Sequence, residues 1–424
     1  MDPIPGGLPP AKTPEERTLA EAAKACGVET EYWDVWGKEH YASAKVERAI
    51  LKSLGVDGHG GPSLDRAMKE RVERDWLRPL PLTVVLVAGQ VHEVPLSLEA
   101  WRAGLQAVVE IRFEQGDSRT IPVALGDLPF SEHIVLRGES FVRKKIPLPG
   151  DLPLGYHEMS IQIPGLDCKP ARLIICPSRA YQPPWLETGR AAGIAISLYG
   201  VRSHRNWGCG DTTDLKTVAD WVAEEARASF IGLNPLHSIP NRQPYNTSPY
   251  LPNSIFYRNP LYLDIEQMED FQLSPRAKVS IQTAAVRREI QALRSSEFVE
   301  YERVYRLKQR FLKLLFRNFL KEWTSDTLRA RELAEYIQRE GDLLHRFAVH
   351  AALDEAIHKE HPDIWHWRAW PEPYQDPESA ATRQFAEKNW RQVLFHKYVQ
   401  WQLDLQFRAA QEHARQRGLS IGLY

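Results

Sequence analysis

No run of 18 apolar residues occurs in the 424-residue chain, so nothing in it reads as a membrane-spanning helix. Net charge is nearly absent as well. A formal value of −1 leaves no electrostatic footprint for nucleic acid or an anionic membrane. The opening residues, Met1-Asp-Pro-Ile-Pro-Gly-Gly, lack an apolar core, so no signal peptide is expected and the setting is read as cytoplasmic. Cysteine is scarce. Cys26, Cys168, Cys176 and Cys209 form no CxxC pair. A Cys168–Cys176 bridge is conceivable in an oxidising compartment, but four reduced thiols fit a chain without an export signal better.

Catalytic signatures are missing too. His345, His350 and His358 share a helical stretch, with His361 and His366 following. A five-residue step turns side chains about 140° apart on a helix, and no HExxH is present, so no metal is expected. There is no GxSxG elbow and no dinucleotide fingerprint. The turn-like Gly58-His-Gly-Gly-Pro62 lacks the Gly-Lys-Ser/Thr ending of a phosphate loop. Two acidic pairs were weighed as a glycosidase dyad. Asp354 and Glu355 are adjacent on a helix and diverge by about 100°. Glu372 and Asp376 flank a Tyr in a Pro-rich loop and read as solvated charges.

What is present is an ordinary globular composition, 43% hydrophobic and 26% charged, long enough for two or three domains. Residues 1–14 are Pro- and Gly-rich and are expected to be disordered. Residues 15–78 read as helices, within a helical N-terminal domain at 1–79, and Gly27 and Gly55 are expected to end two of them. A β-sandwich is expected at 80–180. Its strands are read at Leu82–Val87, Val108–Phe113, His133–Leu136, Phe141–Ile146, His157–Ile163 and Arg172–Cys176.

The rest is organised around Gly193 to Ile265. Two short apolar runs, Gly193–Tyr199 and Ser229–His237, flank an amphipathic stretch with Leu215, Val218, Ala219 and Val222 on one face. That reads as strand, helix, strand, with Asp211 capping the helix and Asp214 three residues on. Both strands end in loops rich in Trp, Tyr, His, Asn, Ser and Arg, the groups that hold a polyhydroxylated ligand. Residues after Ile265 read as helices to about Arg417. The apolar stripes are Val304, Leu307, Phe311, Leu314 and Leu343, Phe347, His350, Ala351, and a Trp365–Pro371 break interrupts them. Gly418 is expected to cap the last helix, with a strand beginning after it.

Three motifs carry a resemblance. Leu198-Tyr199, Arg202-Ser203, Asn206-Trp207-Gly208 and Gly210-Asp211 form one; Ser229–His237 with Ser248-Pro-Tyr250 the second; Asn259-Pro-Leu-Tyr-Leu-Asp264 the third. In order and spacing they resemble the 4-alpha-glucanotransferases (amylomaltases), in the longer bacterial form with extra N-terminal domains. The resemblance implies a multidomain α/β protein. Its (β/α)8 barrel would begin at 185 and be incomplete at Tyr424, with a helical insertion at about 270–417. It implies retaining transfer of α-1,4-glucan segments between maltooligosaccharides or to glucose, without a cofactor.

In that family the nucleophilic Asp, the acid/base Glu and a His-Asp pair follow later strands. They are expected beyond Tyr424, so this chain is expected to be inactive alone. Ser248, Tyr250, Asn206, Trp207 and His237 are the expected substrate contacts. For each a structural role was weighed: a Ser-Pro-Tyr turn for the first two, shaping of the first loop for Asn206 and Trp207. Arg202 was weighed like His237, and Asp211 chiefly as a cap. Trp365, Trp367 and Trp370 read as helix packing or as a sugar platform. The alternatives to an enzyme are a non-catalytic α-glucan-binding protein and a scaffold whose helices bind a protein. Oligomeric state is not legible.

Overall fold

The computed structural model describes residues 13–57, 61–243 and 246–424. Residues 1–12 and Gly58–Gly60 lie outside these, and with them most of the lead expected to be disordered and most of the turn expected at Gly58–Pro62. Thr13 and Pro14, assigned above to that lead, instead open a helix. The chain divides into two compact units, Met1–Gln182 and Pro183–Tyr424.

The first unit begins with α1 (Pro14–Ala25), a hairpin of β1 (Glu31–Trp33) and β2 (Glu39–Tyr41), then α2 (Ala44–Ser53) and α3 (Gly61–Trp76). Thr13 and Glu16 form a reciprocal capping box on α1. Leu19, Ala23, Leu51 and Leu64 make a small core. The hairpin departs from the all-helical expectation. Its three-residue strands are too short to show a period. Its turn is built by the Asp34 carboxylate, which accepts from the Trp36 and Lys38 amides at 3.0 and 2.9 Å.

Eight strands follow: β3 (Thr83–Val87), β4 (His92–Glu99), β5 (Gln106–Arg112), β6 (Ser118–Ala124), β7 (Phe130–Leu136), β8 (Glu139–Leu148), β9 (Gly155–Gln162) and β10 (Ala171–Cys176). They form two sheets, β3-β10-β9-β5-β6 and β4-β8-β7. Val94, Leu96, Val109, Ile111, Ile146, Met159 and Leu173 from both sheets share one core. The sequence reading lacks β4 and β6. Each carries a proline, Pro95 or Pro122, and each lies at a sheet edge, where a missing N–H is tolerated.

The second unit has an α/β core. It contains β11 (Gly193–Ile196), α4 (Thr212–Trp221), β12 (Phe230–Leu233) and the hairpin β13 (His237–Ser238) with β14 (Ser254–Arg258). Next come α5 (Glu269–Gln272), α6 (Pro275–Ile281), α7 (Ala284–Ser295), α8 (Tyr301–Thr324), α9 (Leu328–Glu360), α10 (Ala380–Lys388), α11 (Trp390–Gln416) and β15 (Gly422–Leu423). Strands β11, β12 and β15 are parallel neighbours in that order, the succession by which a (β/α)8 barrel is built. Asp211 caps α4 in a capping box with Asp214, as the spacing implies. Gly418 takes a positive φ of 96° just past α11 and lets the chain turn into β15.

Val304, Leu307 and Phe311 are buried on α8, with Leu314 packed beside them. On α9 the stripe is corrected by one position: Leu344, Ala348, Ala352 and Ile357 face inward and Leu343 is exposed. Gly341 breaks the helix at φ 62°, and the second half restarts with its own phase.

His396 on α11 is largely buried, its side chain 12% exposed. Burial holds its pKa below the ordinary imidazole range, although Glu355 on α9, 3.7 Å from Nε2, acts the other way. His350 on α9, its ring tilted against Trp370 at 4.9 Å, is also pushed down by burial. Both imidazoles resist protonation more in the fold than in the unfolded chain, which takes up protons below about pH 6.5. Stability is therefore complete above that pH and falls as pH drops from it towards the folded-state pKa. The expected slope is up to about 1.4 kcal/mol per pH unit for each histidine. Melts of wild type and His396→Gln between pH 7 and 5 check this. The variant is expected to show the shallower slope, and equal slopes would place the titration elsewhere.

Candidate functional site

The loop after β11 is locked by charge. The Arg205 guanidinium reaches Asp264 at 2.6 Å and Asp214 at 3.0 Å, and also pairs with Asp211. Burial works against its charge, but the three carboxylates outweigh this and hold it protonated. Asn206 is fully buried, and its amide donates to Asp214 at 2.9 Å and to the Val201 carbonyl at 3.0 Å. Trp207 is 4% exposed, donates to Glu266 at 3.1 Å and packs edge-on against Phe311. Arg202 donates to the carbonyls of Gly208, Leu293 and Ser296. Burial pushes the Cys209 thiol up to about 12. Of the two roles weighed for Asn206 and Trp207, the structure shows them shaping the loop. Neither faces an open cleft, because the polar groups that suit a sugar also suit the loop's own backbone.

The strand ends are joined by Asn234. Its carbonyl accepts from the Leu198 amide at 2.9 Å, and its NH2 donates to the Tyr262 hydroxyl at 3.2 Å. Beyond it lies a cleft of about 800 Å³ at the carboxyl ends of β12 and β15. Leu233–His237, the outer half of β14, Tyr424 and one face of α11 line it. His237 pairs with Arg258 across the β13–β14 hairpin. The Arg258 guanidinium sits 5.3 Å over the Phe407 ring. Gln411 accepts from the Leu423 amide at 2.7 Å and ties α11 to the sheet end. Phe256 is 66% exposed, an open aromatic face beside His237, Arg258, Arg408 and Arg415. Among the described lining residues the one carboxylate is Glu412.

His237 is thus in the cleft. Ser248 and Tyr250 are not among its lining residues; they lie on the turn joining β13 and β14, whose outer ends do line it. Ser248 Oγ accepts from the Tyr250 amide at 3.3 Å, and the Tyr250 ring is 70% exposed. The acidic pairs weighed above are dispersed. Asp354 is paired with Arg242, Glu355 accepts from Gln309 at 2.7 Å, and Glu372 and Asp376 are exposed. Phe256, Arg258, Arg408, Arg415 and Tyr424 escaped the sequence reading. The alternating Ser254-Ile-Phe-Tyr-Arg258 run could have flagged the first two. The α11 pair has no local signal, since packing of α11 on the sheet brings it there.

Residues 196–423 match the family model described as 4-alpha-glucanotransferase, and residues 79–177 match the MalQ N-terminal beta sandwich domain. The chain is 32% identical over 415 residues to a 4-alpha-glucanotransferase of Mycobacterium tuberculosis (strain ATCC 25618 / H37Rv), covering 96% of this chain and 54% of the relative. It is 30% identical over 411 residues to a 4-alpha-glucanotransferase of Haemophilus influenzae, with the same coverage of each. The crystal structure of amylomaltase from Corynebacterium glutamicum superposes with a TM-score of 0.74 at 27% identity, covering 96% of this chain and 54% of that one. The chain therefore spans about half the length of the relatives it matches.

Proposed function

This chain belongs to the 4-alpha-glucanotransferase family, and from that premise we propose that it supplies the glucan-holding surface for transfer of α-1,4-glucan segments between maltooligosaccharides. The observation that carries the reading is the cleft at the carboxyl ends of the parallel strands, with an exposed aromatic face set among imidazole and guanidinium donors. Those are the groups that stack on sugar rings and bond sugar hydroxyls. The Ser248–Tyr250 turn, on the segment that joins β13 to β14, adds a further exposed ring at Tyr250.

Retaining transfer needs two carboxyl groups about 5–5.5 Å apart. With Glu412 the one carboxylate in the described lining, the role assigned to these residues is binding and not bond cleavage. Four free thiols suit a reducing, cytoplasmic setting, and no helix among the described residues is long and apolar enough to cross a membrane.

The test is a calorimetric titration with maltoheptaose. Tyr250→Ala is expected to weaken binding by about 1–3 kcal/mol, roughly 5- to 150-fold in Kd, through loss of a ring face and its hydroxyl. An unchanged Kd would reduce Tyr250 to a turn residue.

A further inference from the structure

A groove of about 570 Å³ lies in the helical part of the second unit, between the second half of α9, α10 and the turn from Trp367 to Gln375. We propose that it is a second α-glucan-binding site, which holds an arm of the chain away from the strand-end cleft. The proposal rests on the glucan reading above and adds a location to it.

The three tryptophans of this region divide by role. Trp370 is 5% exposed and packs with Ala348, Val349, Ala352 and Leu353, so it is a packing residue. Trp367 is 46% exposed and lines the groove, with the Arg368 guanidinium 5.4 Å from its ring centroid. Tyr374, braced edge-on by Phe385 at 6.2 Å, is a second aromatic wall. A half-exposed indole fixed by a cation on one face and bordering a concavity is what an aromatic sugar platform requires.

The rim supplies the hydroxyl-binding half. Arg346 spans Asp342 at 2.8 Å and Glu378 at 2.9 Å, which presents planar guanidinium and carboxylate groups side by side. Such groups each bond two neighbouring hydroxyls. With Arg383, which also lines the groove, two guanidinium groups stand against two carboxylates, so the rim favours a neutral polyhydroxylated chain over an anion or a cation. Position adds to this. Asn253, three residues beyond Tyr250, lines the groove and is pinned by its amide to the Ser238 carbonyl at 2.9 Å. The groove thus adjoins the same β13–β14 connection that carries the Ser248–Tyr250 turn.

The experiment titrates the whole chain with maltoheptaose and reads stoichiometry and Kd for wild type, Trp367→Ala, Trp367→Phe, Arg346→Ala and Tyr250→Ala. Wild type is expected to bind two sugars. Trp367→Ala and Arg346→Ala are expected each to weaken one site at least about tenfold with unchanged melting, and Trp367→Phe to retain it. A single site that is untouched by both Trp367→Ala and Arg346→Ala would overturn the groove and leave the strand-end reading standing. Binding lost in Trp367→Ala and untouched by Tyr250→Ala would support the groove and overturn the role given to Tyr250. A wild type that binds no sugar would overturn both.

Discussion

Incubated with maltotriose, the purified 424-residue chain is expected to release no glucose above background, even though it binds the sugar. Retention proceeds through a covalent glycosyl intermediate, which requires a carboxylate nucleophile and a second carboxyl group to protonate the leaving oxygen. The strand-end cleft offers Glu412 alone among the described residues. Asp354 is committed to Arg242, and Glu355 to Gln309 and Lys313. Loss of a nucleophile commonly removes a factor on the order of 10⁴ or more, which positioning alone does not restore. Glucose release at a steady rate, abolished by Glu372→Gln or Asp376→Asn, would place a catalytic pair in the exposed loop between α9 and α10 and contradict this account.

Arg205→Met is expected to destabilise the second unit by about 3 kcal/mol. Asp211, Asp214 and Asp264 are nearly inaccessible, and the guanidinium is their shared counter-charge. Removal of one partner of a buried ion pair typically costs about 3–5 kcal/mol, because the other charge stays behind without compensation. The lower end applies here since the guanidinium itself is 36% exposed. Burial already pushes the Asp211 carboxyl above its ordinary range despite the Lys308 charge nearby. Without Arg205 that carboxyl gains a proton more readily, so the penalty is expected to shrink from pH 8 to pH 5. Arg205→Lys keeps a point charge but not the fork that reaches three carboxylates, and is expected to recover part of the loss. Urea denaturation, fitted with separate transitions for the two units, measures it. A cost below about 1 kcal/mol at pH 8 would mean that water, not Arg205, compensates the carboxylates.

Features written in local spacing were legible in the sequence. The β11–α4–β12 unit, the Asp211 cap and the Val304–Phe311 stripe depend on residues three or four apart, or on short apolar runs. Features that depend on what lies opposite were not. Strands β4 and β6 were hidden because their prolines argue against a strand until an edge position is known. Leu343 was placed inward because it shares helical spacing with Phe347 and His350, while the face that packs lies one position on, at Leu344, Ala348 and Ala352. In the site, His237 could be placed because it comes shortly after β12, at the carboxyl end of that strand. Asn206 and Trp207 have the chemistry of ligand contacts, yet the loop uses that chemistry on itself. Arg408 and Arg415 join the cleft through α11, more than 140 residues from β14 in sequence, and no motif spans that distance.

The central claim is that an α-1,4-glucan is held at the carboxyl ends of β12 and β15. Its most direct measurement is a residue-by-residue map of the amide and side-chain resonances that move as maltoheptaose is added to the isotope-labelled chain. The account requires saturable shifts at His237, Phe256 and Arg258, with Arg205 unmoved within its locked loop. Saturable binding with shifts confined to other surfaces, and none at His237, Phe256 or Arg258, would contradict it.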